Sequence, residues 1–77
     1  MINEKDLMSI VSTNLKKYMN KQKYTQKELS VKSRLTEVAI SRYINGKRLP
    51  STMALLKLAQ ALEINVSDLV NQNFETD

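Results

Sequence analysis

The sequence contains no cysteine, no histidine and no tryptophan, and it has one glycine and one proline. Without cysteine there is no disulfide and no thiolate metal site, which fits a reducing cytoplasm, the expected location. Without histidine as well, zinc-finger ligation and the commonest general base are excluded. No glycine-rich phosphate loop and no close pair of carboxylates on one helix face is present, so no enzyme, metal or cofactor is expected. A single glycine and a single proline leave few sites for hairpin turns, and two-residue alternation is absent, which points to an all-α fold. Aromatic residues are scarce, three tyrosines and one phenylalanine. Tyr18, Tyr24 and Tyr43 fall at core positions, so the stacking platform of an RNA-binding module is missing. The first ten residues, MINEKDLMSI, mix charge with apolar side chains, unlike a leader segment. The longest apolar run, Met53 to Leu56, is far short of the roughly 20 residues that span a bilayer.

Acidic charge is scarce in one region only. Residues 14–48 hold ten lysines and arginines against Glu28 and Glu37, a balance of +8, whereas residues 1–13 sum to −1 and residues 49–77 to −3, giving +4 for the chain. A basic middle between acidic ends favours a polyanionic partner, although a solvated helical surface alone would also carry such charge.

At 77 residues the chain is expected to be one domain, with 1–8 as an N-terminal extension and 72–77 as a polar tail. Leu7, Val11, Leu15 and Tyr18 mark a first helix over about 4–21. Thr25 and Glu28 form a capping box that opens a second helix over 26–33, with Leu29 facing inward. Thr36 caps a third helix whose core face is Ile40, Tyr43 and Ile44, and Gly46 ends it in a left-handed conformation. Pro50-Ser51 opens a fourth helix in which Leu55, Leu58, Ala59 and Leu62 share one face. Ser67 is expected to cap a short fifth helix carrying Leu69 and Val70. No repeat, linker or low-complexity segment interrupts these five helices.

Only residues 33–36 separate the second helix from the third, which is the spacing of a helix-turn-helix unit. In such a unit the second helix stands proud of the surface and fits the major groove of B-DNA, with its N-terminal residues at base edges. Glu37, Val38, Ser41 and Arg42 lie off the core face of the third helix. Their mixed chemistry suits base reading better than a lysine and glutamate surface would. Glu37 is also favoured in a first turn by the helix dipole, but an exposed valine has little structural reason, and a thymine methyl supplies one.

The segment TQKELSVKSRLTEVAISRYINGKRLPSTMALLKLAQALEINVSDLV resembles the helix-turn-helix domain of the phage-repressor class, the lambda-repressor and Cro type, from about Val11 to Val70. The resemblance implies a compact five-helix DNA-binding transcriptional regulator, a small repressor or autoregulator, often a homodimer on a palindromic double-stranded operator. It places base contacts on Thr36, Glu37, Val38, Ser41 and Arg42, and phosphate contacts on Gln26, Asn45 and Lys47. A helix N-terminus offers free amides to the phosphate at Gln26, and Asn45 and Lys47 can hold register without reading sequence.

Three departures from the family pattern stand out. Lys23, Arg34 and Glu63 occupy places where members usually have glycine. If the backbone there is left-handed, each costs about 1 kcal/mol relative to glycine. Met19 and Ile44 replace an Arg and Glu that members often pair, so a packing contact is expected between them, a swap that is often neutral or stabilising. The first eight residues run beyond the usual family start, and Ile2, Leu7 and Met8 either lengthen the first helix or join a dimer interface. The other pairing surface is Val66, Leu69 and Val70 with Phe74. The alternative function is an antitoxin-type interaction protein that uses the same fold for autoregulation; it would need an apolar patch or a tail that orders on binding, for which Phe74 is the one candidate. No sensor domain, membrane contact or small-molecule ligand is expected.

Overall fold

The computed structural model describes residues 2–72. Its helices are α1 (Glu4–Gln22), α2 (Gln26–Ser33), α3 (Glu37–Ile44), α4 (Thr52–Leu62) and α5 (Val66–Val70), and there is no strand among the described residues. Each of the first four starts at a residue whose side-chain oxygen accepts a backbone N–H of the first turn: Asn3, Thr25, Thr36 and Ser51. At α2 the box is reciprocal, since the Glu28 carboxylate also accepts from the Thr25 N–H at 2.9 Å. The fifth start differs from expectation. Asn65, not Ser67, is the N-cap, and its N–H donates to the Asp68 carboxylate at 2.9 Å. The acid three residues past Asn65 fixes the start there, which leaves Ser67 inside the helix.

Four helices end in left-handed turns. Lys23, Arg34 and Glu63 have φ of 59°, 62° and 57°, and Gly46 has 65°. Each of these residues is followed by an N–H that reaches back to a carbonyl five residues earlier, as from Tyr24 to Met19 at 2.9 Å and from Lys47 to Arg42 at 2.8 Å. These bonds satisfy carbonyls that the helix leaves free, and they hold three non-glycine residues in left-handed backbone against a cost of about 1 kcal/mol each.

The core runs through all five helices, with Leu15, Leu29, Ile40, Leu58, Leu62 and Leu69 fully buried. Met19 and Ile44 are both buried in it, as the expected apolar exchange requires. Tyr43 is buried, and Tyr18 and Tyr24 are half-buried against the same cluster. Residues 4–8 of the N-terminal extension form the start of α1.

Polar side chains of α1 fasten the far ends of three other helices. The Ser12 hydroxyl donates to the Ile44 carbonyl at the end of α3. The Asn14 amide, 2% exposed, donates to the carbonyls of Leu69 and Asn71, both at 2.9 Å, at the end of α5. The Gln22 amide donates to the Leu62 carbonyl at the end of α4 at 2.6 Å. Helix ends expose carbonyls without intrahelical partners, and burial makes leaving them unpaired costly. Asn14→Ala should therefore lower stability by about 1–3 kcal/mol. Heat or urea unfolding measures it, and an unchanged midpoint would mean that the two bonds contribute nothing net.

Candidate nucleic-acid interface

Helix α3 is built to show one side outward. Thr36 holds extended backbone at φ −74° and ψ 155°, and its hydroxyl oxygen accepts from the Ala39 N–H at 3.0 Å. From that start, Ile40, Tyr43 and Ile44 turn into the core while Ala39 packs against it. Thr36, Glu37, Val38 and Arg42 are exposed, and Ser41 is half-buried beside them. All five residues singled out for base reading thus lie on the outward side. Val38 is 58% exposed, although it is an apolar residue with core positions two residues on. The inward anchor of α3 is the Ser12 bond to the Ile44 carbonyl. Beyond it Gly46 supplies backbone freedom rather than space, because an added Cβ would sit an ordinary 4.0 Å from the Ser12 Cβ.

The three residues singled out for phosphates are all exposed. Gln26 is the first residue of α2, where backbone N–H groups point outward. Lys47 follows the turn after α3, with Arg48 exposed next to it. Asn45 lies between α3 and Lys47, but its side chain is folded back: its amide nitrogen lies 2.9 Å from the Ser41 carbonyl and 3.3 Å from the Ser41 hydroxyl.

Two residues not singled out from the sequence join Gln26. Lys16 and Asn20 of α1 line one concavity of about 320 Å³ with Gln26, Thr25 and the apolar pair Met19 and Ile44. They are one helical turn apart on α1, a spacing visible in sequence, but only the packing of α1 beside the start of α2 gives it meaning. At that start the Glu28 carboxyl is held below the usual carboxylate range, first by the Thr25 backbone N–H and then by the Thr25 side chain. One turn further along α2, the Lys32 ammonium donates to the Tyr24 hydroxyl at 2.7 Å, which raises the Lys32 pKa.

A helix-turn-helix family model matches residues 15–69. The chain belongs to the Cro/C1-type helix-turn-helix family. It is a DNA-binding transcriptional regulator. It is 30% identical over 71 residues, 92% of each chain, to the HTH-type transcriptional regulator y4dJ of Sinorhizobium fredii. Among solved structures it resembles the restriction-modification controller protein C.AhdI from Aeromonas hydrophila, with a TM-score of 0.77 and 26% identity, over 80% of this chain and 94% of that one. It also resembles the SOS-response transcriptional repressor LexA from Eubacterium rectale, with a TM-score of 0.81 and 27% identity, over 100% of this chain and 82% of that one.

For this regulator, the position of Lys47 predicts a loss of affinity that does not depend on sequence. Lys47→Ala should weaken binding to all duplexes alike and flatten the slope of log affinity against log salt by about 0.9. Titrations at several salt concentrations measure this. A changed base preference would make Lys47 a reading residue instead.

Proposed function

We propose that the regulator is a small repressor or autoregulator that acts in the cytoplasm as a homodimer on a palindromic operator. Each subunit lays α3 in one major groove. The observation that carries this reading is the outward face of α3: an acid, a valine and an arginine, exposed, with a half-buried serine beside them, on a short helix whose other side is locked into the core. Thr36, Glu37, Val38, Ser41 and Arg42 read bases. Glu37 accepts from cytosine N4, Val38 packs on a thymine methyl, and Arg42 donates to guanine or a phosphate. Gln26, with Lys16 beside it, and Lys47 hold phosphates.

A single α3 spans too little groove to pick one site from a genome, so two are needed, about 34 Å apart on one face of the duplex. At the C-terminal pairing surface, Leu69 is fully buried in this chain's own core, Val66 packs against that core and Val70 is half-buried, while Phe74 lies outside the described residues. Ile2 is 50% exposed, and Leu7 and Met8 are half-buried on the first turns of α1. These residues favour pairing through the start of α1. A chain cut after Asn71 should then keep the solution mass of a dimer, and a truncated monomer would return the interface to the C-terminus.

Selection of bound sequences from a random DNA pool tests the whole reading. A two-fold symmetric consensus is expected. Glu37→Gln should shift one position in each half-site from cytosine toward adenine, a change in discrimination of about 1–3 kcal/mol. If no consensus emerged, or if the Glu37→Gln protein selected the same one, α3 would not be the reading element.

A further inference from the structure

Asn45 and Ser41 form a local unit whose chemistry fixes what Ser41 can recognise. Ser41 is the fifth residue of α3, and Asn45 is the residue just past the helix, four positions on. Ser41's carbonyl accepts the Asn45 backbone N–H at 3.0 Å and the Asn45 side-chain amide at 2.9 Å. A carbonyl oxygen only accepts, so the side-chain atom facing it is the NH₂ group and the orientation of the Asn45 amide follows. The same NH₂ group lies 3.3 Å from the Ser41 hydroxyl oxygen. Toward Asn45 that hydroxyl is therefore an acceptor, and its own proton points away. Among the described residues the Ser41 hydroxyl donates to no acceptor. It sits half-buried beside exposed Glu37, Val38 and Arg42, on the outward side of α3.

We infer that Asn45 is a positioning residue for base recognition, in place of the phosphate contact that the family resemblance implies, and that it presents Ser41 to DNA as a hydrogen-bond donor. This rests on α3 being the reading helix. A serine hydroxyl left free can donate or accept and therefore discriminates poorly. With Asn45 on its acceptor side, Ser41 is biased toward donation. In the major groove a donor seeks purine N7, guanine O6 or thymine O4, and it turns away the cytosine N4 amino group. Lys47 is left to hold the phosphate after α3, since the Asn45 amide is turned inward onto α3.

The test compares four proteins, the native chain, Asn45→Ala, Ser41→Ala and Ser41→Thr, each by selection from a random duplex pool and by affinity at several salt concentrations. Ala is compatible with the Asn45 backbone at φ −89° and ψ 6°, and Asn45 is exposed, so the fold should survive. Equal unfolding midpoints check that. Ser41→Ala should erase exclusion of cytosine at one position in each half-site, a loss of about three- to tenfold in preference. Asn45→Ala should weaken the same preference at the same position with the salt slope unchanged. Ser41→Thr, which keeps the hydroxyl, should restore it. If Asn45→Ala weakened every sequence alike and flattened the slope by about 0.9, Asn45 would be a phosphate contact and the inference would fall. It would also fall if Ser41→Ala left the consensus intact. A native chain that selected no consensus would overturn the reading role of α3 itself, a result distinct from either of these.

Discussion

The hold that α1 has on the carbonyl ends of other helices is the constraint on which the remaining structure depends. Helix α3 has eight residues and α5 has five. Helices this short are unstable alone in water, because nucleation costs more than a few intrahelical bonds return. Tertiary packing must fix them. Buried Leu69 and Ile40 provide the apolar part, which is strong but without direction. The Ser12, Asn14 and Gln22 bonds provide direction, because each ties a donor on α1 to carbonyls at the far end of one helix. A slip of α3 along its axis would break the Ser12 bond at once.

That fixing has a functional consequence. A side chain reads a base edge only if its helix arrives with sub-ångström to ångström accuracy, and scaffold packing must supply the accuracy before DNA is met. Locked inward by Ile40, Tyr43 and Ile44 and held at its end by Ser12, α3 presents its outward residues without having to order them on binding. The three left-handed non-glycine residues work in the same direction. Lys23, Arg34 and Glu63 are strained, yet their turns set how α1 passes to α2, α2 to α3 and α4 to α5. The hydrogen bond behind each turn holds the strain in place.

Most of the fold could be read in the sequence because it is written locally. Caps are single residues with a side-chain oxygen, so Thr25, Thr36 and Ser51 announced their helices, and the leucine spacing of α4 announced its buried face. The start of α5 is ambiguous in sequence because Asn65 and Ser67 offer equally good capping oxygens, and the acid at Asp68, three residues past Asn65, decides between them. The outward residues of α3 were legible because one helix needs only one core face, and Glu37, Val38, Ser41 and Arg42 fall off it. What could not be read was the polar interior. Ser12, Asn14 and Gln22 look like solvent residues of an amphipathic helix, and nothing local says that distant carbonyls await them. Lys16 and Asn20 were hidden for the same reason, since their neighbour Gln26 belongs to another helix. The inward turn of Asn45 onto Ser41 depends on a side-chain rotamer, which spacing does not encode.

Basic charge gathers in residues 14–48, from the latter half of α1 through α2 and α3 to the turn after them, and the acidic ends lie elsewhere in sequence. On the proposed reading, attraction to DNA and recognition of sequence share one region but use different residues, basic side chains for phosphates and the mixed chemistry of α3 for bases. The central claim is that the outward side of α3 meets the bases while α1 holds it from behind. Amide chemical shifts of the isotopically labelled protein, followed as a duplex carrying its selected sequence is added, test this most directly. The largest changes are predicted at residues 36–42, with smaller ones at Gln26 and Lys47, and little change in α5. Changes centred on α4 and α5 with residues 36–42 unmoved would contradict it.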